Sequence, residues 1–252
     1  MSGYGCFSEF YDRLTTDVDY AAYAEYLLGL FERHKGERPS MLLDLACGSG
    51  SLALEMAVRG IDVIGVDGSE EMLAIASEKA QAAGRQLLFL CQDMRKLDLY
   101  GTVDGAVCVL DSLNHVTNTA GLAEIFRRLS LFIEPGGLFI FDVNTPYKHR
   151  EVLADNTFVM EEEDLVCVWR NECQPRTCTV SMLLDFFVEQ EDGRYERLTD
   201  LVKERAYSLD TLRRLLKENQ FETLAVYGER TLLPPEPDCP RWVVVAANRR
   251  NL

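Results

Sequence analysis

Four carboxylates stand along the first half of the chain, each at or just past the end of an apolar run: Asp44, Asp67, Asp93 and Asp111. Residues 42 to 51, between the first two, read Leu-Leu-Asp-Leu-Ala-Cys-Gly-Ser-Gly-Ser. A short apolar run reaches Asp44, and the chain turns at Gly48 and Gly50. Leu52, Leu54, Met56 and Ala57 then follow with helical character and stop at Arg59-Gly60, where Gly60 suits the residue just past a helix end. The order is strand, glycine turn, helix. Glycines let a backbone approach a ligand without Cβ interference, and the start of the helix leaves N–H groups facing that ligand. Seventeen residues past Gly50, the run Ile61-Asp-Val-Ile-Gly-Val ends in Asp67. An acidic residue at the tip of a second strand is where such folds grip ribose hydroxyls. This half of the chain therefore reads as a binder of a nucleoside-containing cofactor.

Gly48-Ser-Gly-Ser-Leu-Ala53 also satisfies the loose dinucleotide fingerprint GxGxx[GA], which alone is a weak signal. Asp44 separates the two cofactor classes. A carboxylate four residues before the first glycine would repel a pyrophosphate, but it suits a ligand that carries an ammonium and a sulfonium. Leu-Asp-Leu-Ala-Cys-Gly-Ser-Gly resembles motif I of the class I S-adenosylmethionine-dependent methyltransferases, written [D/E]xxxGxG. Further stretches resemble the same family in order and spacing over residues 40 to 143. Gln86-Leu-Leu-Phe-Leu-Cys-Gln-Asp-Met looks like its third-strand end, Val103 to His115 like its fourth strand with the loop over the methyl group, and Glu134-Pro-Gly-Gly-Leu-Phe-Ile-Phe-Asp like its fifth strand.

The resemblance implies S-adenosyl-L-methionine as cofactor, with S-adenosyl-L-homocysteine as product. It implies that Asp44, Ala46, Gly48 and Gly50 border the methionine moiety and that Asp67 takes the ribose. Asp93 would bond the adenine amino group, and the Met94 N–H would reach the ring. Gly68, Met72 and Leu110 complete the implied cofactor set. The opening pattern Tyr4-x-x-Phe7-x-x-x-Tyr11-Asp12 is similar to small bacterial methyltransferases whose N-terminal helix covers the cofactor, which would place Tyr11 beside the methyl group.

The elements that must position these residues follow from periodicity. From 40 to 143 strands and helices alternate, which implies an α/β fold: a Rossmann-like, mostly parallel sheet with helices on both faces and ligands beyond the carboxyl ends of the strands. All four aspartates then line one edge. Ser69-Glu-Glu opens a helix with a capping side chain and acids in its first turn, and another helix is predicted from about Thr119 to Phe132. Residues 1 to 34 read as a helical cover. Residues 157 to 206 change to alternation, with Val166, Val168, Val180, Met182, Leu184, Phe186, Val188, Leu198 and Leu201 on strand faces and turns at Gln174-Pro-Arg and Glu191-Asp-Gly-Arg. The expected organisation is a methyltransferase core over 1–150 and 207–252, with an antiparallel β-meander inserted at 151–206. In the resembling family such an insertion closes the acceptor pocket as a lid. A helix capped by Ser208 and two final strands complete a seven-stranded sheet.

Composition narrows the partners. The net charge of −15 and the lack of a basic tract disfavour nucleic acid. No apolar run approaches the length that spans a bilayer, and Met1-Ser-Gly-Tyr-Gly-Cys lacks the basic and apolar regions of a secretory signal. The expectation is a cytoplasmic monomer or homodimer. Eight cysteines contain no CxxC and no histidine at ligand spacing. Cys47, Cys91, Cys108 and Cys167, in or beside apolar runs, read as reduced core residues, and no metal is expected.

Methyl transfer from a sulfonium is an in-line displacement with a good leaving group already present, so alignment and exclusion of water matter most. A base is needed only when the acceptor must lose a proton. The candidates are Asp111, Asn114 and His115 in Leu110-Asp-Ser-Leu-Asn-His, with Tyr11 from the cover and Asp142 and Asn144 at the end of strand five. Asp111, His115 and Tyr11 form the expected catalytic set. The reading is methyl transfer to a small molecule, at nitrogen or oxygen rather than carbon. A NAD-type oxidoreductase and a non-catalytic cofactor-binding scaffold or regulator remain the alternatives.

Overall fold

The structure is a computed structural model that describes Phe10, Arg13 and residues 18–250. Its central sheet has seven strands in the order β10-β11-β5-β4-β1-β2-β3. Strands β1 (Met41–Leu45), β2 (Asp62–Asp67), β3 (Leu88–Cys91) and β4 (Val103–Cys108) run parallel with β5 (Ile133–Asn144). The last two strands, β10 (Phe221–Gly228) and β11 (Arg241–Asn248), form an antiparallel hairpin, and β11 inserts antiparallel beside β5.

Successive strand residues point to opposite faces, and the chain uses both. Leu43, Leu45, Ala106, Phe139 and Phe141 pack under α4 (Thr119–Phe132) and α5 (Leu209–Glu218). Leu42, Val107, Ile140 and Val245 pack under α1 (Tyr20–Lys35) and α2 (Ser51–Val58). Asp44 has the parity of Leu42 and so faces the α2 side. The third connecting helix, α3 (Glu70–Ala82), starts where the Ser69 hydroxyl accepts the Met72 N–H. Gly60, past the end of α2, has φ +86°, the left-handed conformation expected there.

The expected meander is present as a separate four-stranded antiparallel sheet: β6 (Thr157–Glu161), β7 (Leu165–Gln174), β8 (Thr179–Glu189) and β9 (Tyr195–Arg205). The apolar residues expected on strand faces divide between the two faces of this sheet. On β7 it is Leu165 and Cys167 that turn inward with Val180, Met182, Leu184 and Phe186, while Val166 and Val168 are only partly buried. Leu201 is 54% exposed, because it lies an odd number of residues from Val202, which is buried.

Of the expected N-terminal cover, α1 is described, as are Phe10 and Arg13; Tyr4, Phe7 and Tyr11 lie outside the described residues. Phe10 stacks on Phe186 with ring centroids 5.1 Å apart and belongs to the core of the meander. Arg13 ion-pairs with Glu162 and Asp164 at the β6–β7 turn. The described cysteines are all free; Cys108 and Cys167 are buried, Cys47 is partly buried, and Cys91 is exposed rather than in the core.

Candidate active site

The carboxyl ends of β1, β2, β3 and β4 bring Asp44, Asp67, Asp93 and Asp111 to one edge of the sheet, as the alternation requires. The turn after β1 is built from residues in the left-handed region: Ala46 (φ +59°), Gly48 (φ +53°) and Gly50 (φ +75°). At Gly50 a Cβ would also lie 2.7 Å from the Ala76 Cβ, so only glycine lets α2 and α3 meet at this turn. Asp67 fixes the turn from the next strand. One carboxylate oxygen accepts the Gly48 N–H at 2.9 Å, and the other accepts the Ser69 N–H at 2.9 Å. Sequence reasoning missed Lys79, whose Nζ donates to the hydroxyls of Ser49 and Ser51, each at 2.9 Å, and ties α3 to the turn.

Asp44 is 2% exposed, and its Oδ2 has no hydrogen-bond partner among the described residues. Burial, with the nearby Asp67 carboxylate, pushes its carboxyl up to about 7, against a smaller opposing pull from the Ala53 N–H at the start of α2. A buried carboxylate oxygen without a donor fits a cationic ligand, which would restore its ionised form. Met72 is buried, Met94 is half-buried, and Gly68 is exposed beside Asp67. Asp93 caps the short 3₁₀ turn Met94–Lys96 through the Arg95 N–H, and its pairing with the Arg95 guanidinium holds its carboxyl below the usual range.

The loop after β4 begins with strain. Leu110 (φ +54°) and Asp111 (φ +55°) are consecutive non-glycine residues in the left-handed region, a conformation that costs about 1–3 kcal/mol each. Their N–H groups converge on one carboxylate, Asp142, at 2.8 and 2.7 Å, and such a nest binds an anion well. The Tyr23 hydroxyl and the Arg241 guanidinium also donate to Asp142. Asp142 is fully buried and its oxygens are occupied, so it shapes the loop instead of meeting an acceptor.

Asp111 pairs with Arg241 at 2.9 Å and accepts from the Asn144 side chain at 2.8 Å. Burial raises its carboxyl, but Arg241, Lys148 and His115 outweigh burial and hold it well below the usual carboxylate range. Asp111 is therefore a fixed negative charge and a poor proton acceptor. Asn114 is fully buried, and its amide is spent on the backbone of Asn144 and Arg205, which ties the loop to β5 and to the last strand of the meander. Asn144 bridges Asp111 and Glu204 and accepts from Lys148 at 2.9 Å. His115 remains partly exposed, with Nε2 3.8 Å from Glu204 Oε1.

Arg241, Glu204 and His149 were not singled out from sequence. A signal existed for two of them. Arg241 directly precedes the apolar run Trp242–Ala247, and Glu204 continues the inward parity of Val202 on β9. A charge at an inward position is the informative exception to alternation.

A methyltransferase-domain family matches residues 42–137. A protein of Geobacillus sp. (strain WCH70), named as a methyltransferase, is 31% identical over 245 residues, covering 96% of this chain and 98% of the relative. The crystal structure of an S-adenosylmethionine-dependent methyltransferase from Clostridium acetobutylicum ATCC 824 superposes with a TM-score of 0.86 at 28% identity, covering 96% of this chain and 99% of that one. A glycine/sarcosine N-methyltransferase of Halorhodospira halochloris is 26% identical over 201 residues, covering 78% of this chain and 72% of the relative.

Proposed function

The chain belongs to the class I S-adenosylmethionine-dependent methyltransferases, and from that premise we propose that it methylates a small-molecule acceptor at nitrogen or oxygen. The dinucleotide and scaffold alternatives fall with that membership: the protein is an enzyme and its cofactor is S-adenosylmethionine. When bound, the cofactor supplies an electrophilic methyl on a sulfonium. Asp44 would hold its cationic part, the Ala46–Gly50 turn the methionine moiety, Asp67 the ribose, and Asp93 with Met94 the adenine, with Gly68, Met72 and Leu110 completing the wall.

The observation that carries the acceptor reading is the strained Leu110–Asp111 turn. It is held down by Asp142 and sets Asp111 and His115 at the same sheet edge as the cofactor residues. In this reading Asp111, kept ionised, fixes a nitrogen donor or a polar hydrogen of the acceptor, and His115 takes the proton that a nitrogen or oxygen nucleophile gives up. The meander closes over them and excludes water, and Tyr11 would border the methyl from the cover. Support for a small acceptor comes from the glycine/sarcosine enzyme among the relatives and from the net charge of −15, which disfavours a polyanion. The free state of the described cysteines fits a reducing compartment, and we place the enzyme in the cytoplasm as a monomer or homodimer. A metabolite screen for cofactor-dependent gain of one methyl tests the reading. Turnover of an amine or hydroxyl compound supports it, and methylation confined to phosphate-rich polymers overturns it.

A further inference from the structure

We propose that Lys79 is a positioning residue for the cofactor: from α3 its ammonium holds the Ser49 and Ser51 hydroxyls, and through them the glycine turn, in the shape that takes the amino-acid end of S-adenosylmethionine. The proposal rests on the reading that this turn borders the methionine moiety. It adds a residue outside every stretch that led to that reading, 28 positions beyond Ser51 in the chain. The turn is hard to hold. Ala46, Gly48 and Gly50 all stand in the left-handed region, and Ala46 is not a glycine, so its surroundings must impose the conformation. On one side Asp67 does this by accepting the Gly48 and Ser69 N–H groups at 2.9 Å each. Past Gly48 the turn runs into α2 through Gly50, which offers no capping side chain. Lys79 supplies the fixed point there. Its Nζ lies 2.9 Å from both hydroxyls, one on each side of Gly50. Ser49 is 2% exposed, so its hydroxyl is turned into the protein and away from solvent.

The local fold of α3 brings the ammonium to this place. Ala76 lies one helical turn before Lys79 on the same face, and Gly50 sits directly on it, since a Cβ there would come within 2.7 Å of the Ala76 Cβ. This pair of small residues lets α2 and α3 approach until the lysine reaches across the turn. A cation in the last turn of α3 suits the dipole of that helix. The same cation stands at the first residue of α2, whose N-terminus disfavours it. Stabilising α3 would be served by a side chain pointing to solvent. Lys79 is instead half-buried, with its ammonium directed at two hydroxyls. Hydrogen bonds from a charged donor are stronger than neutral ones, so the ammonium stiffens the turn more than a neutral side chain would. A turn already in its bound shape costs the ligand less to occupy. That gain belongs only to the part of the ligand that touches the turn.

Calorimetry with two ligands tests this. S-adenosylhomocysteine carries the nucleoside, the sulfur and the amino-acid end; 5′-methylthioadenosine carries the nucleoside and the sulfur but no amino-acid end. Lys79→Met keeps an unbranched stem and removes the ammonium. It should raise the dissociation constant of S-adenosylhomocysteine by about tenfold, the low end for losing a hydrogen bond to a charged group. The constant of 5′-methylthioadenosine should stay at the wild-type value, which also shows that the variant is folded. A double-mutant cycle checks the route: with Ser49→Ala and Ser51→Ala already in place, Lys79→Met should have little further effect. An equal loss for both ligands would make Lys79 a merely structural residue of α3, and two unchanged constants would leave it without a role at the turn. A full second loss on the background without the serines would send its effect by another route. Each of these results overturns the proposal. Asp44→Asn, measured with the same two ligands, separates that outcome from failure of the underlying reading. If the turn borders the methionine moiety, Asp44→Asn weakens S-adenosylhomocysteine and spares 5′-methylthioadenosine. If it affects both ligands alike, the reading of the turn fails, and the proposal fails with it.

Discussion

Under the glycine turn Asp44 Oδ2 has no hydrogen-bond partner among the described residues, and burial with Asp67 pushes the group up to about 7. The folded value lies above the unfolded one, so protonated Asp44 favours the fold at low pH, and that contribution is lost as pH rises through about 7. A bound cation acts in the opposite direction and needs the ionised form. Cofactor binding should therefore release a proton below about pH 7, and affinity should rise by up to about tenfold per pH unit there and level off above it. Calorimetry in buffers of different ionisation enthalpy reads this directly. Asp44→Asn should weaken binding and flatten its pH dependence; a variant that keeps the slope would place the titrating group elsewhere. Asp67→Ala should weaken cofactor binding by about 1–3 kcal/mol, the usual loss of a hydrogen bond to a charged group, and an unchanged dissociation constant would misplace the ribose site. Asp44 and Asp67 were legible because a polar residue at the end of an apolar run is rare. Asp142, at the end of such a run too, was legible only as a candidate for the acceptor. That it instead neutralises the N–H groups of Leu110 and Asp111 depends on two left-handed residues that no local pattern announces.

Helix and strand boundaries followed from apolar periodicity wherever one face of an element is polar. The helix over Thr119–Phe132 came out as read, with Leu122, Ile125, Phe126 and Leu129 buried. Periodicity fails where both faces of a strand are apolar, and on β7 the choice between Leu165 and Cys167 inward or Val166 and Val168 inward was settled only by packing against β8. The meander also gains a contact that local alternation cannot show: Phe10 stacks in its core, and Arg13 pairs at its turn, so the N-terminal segment and the meander are joined. Phe10→Ala should cost about 3 kcal/mol or more of packing in that layer. Because the proposed cofactor residues lie on the other sheet, kcat/KM for the acceptor should fall while the cofactor dissociation constant holds. Steady-state kinetics beside calorimetry makes the comparison, and an equal loss in both would mean that the layer also forms the cofactor pocket.

At the scale of the whole molecule, the strand order carries the chemistry. Parallel strands β1 to β4 deliver four aspartates to one edge, and the β10–β11 hairpin delivers Arg241 to Asp111 and Asp142 there. A mostly parallel sheet with the four aspartates on one edge was readable from alternation of elements; the reach of Arg241 and Glu204 into one cluster was not, since it joins residues far apart in the chain. Among the described residues, no helix is long and apolar enough to cross a membrane, and no three potential metal ligands converge. The net charge of −15 favours the proposed neutral or cationic acceptor over a polyphosphate. The decisive measurement is the fate of an isotope-labelled methyl group when the enzyme and S-adenosylmethionine are mixed with a whole-cell extract, separated afterwards by size. Label in the small-molecule fraction, on nitrogen or oxygen, is the expected result, and label in transfer RNA or another phosphate-bearing polymer would contradict it.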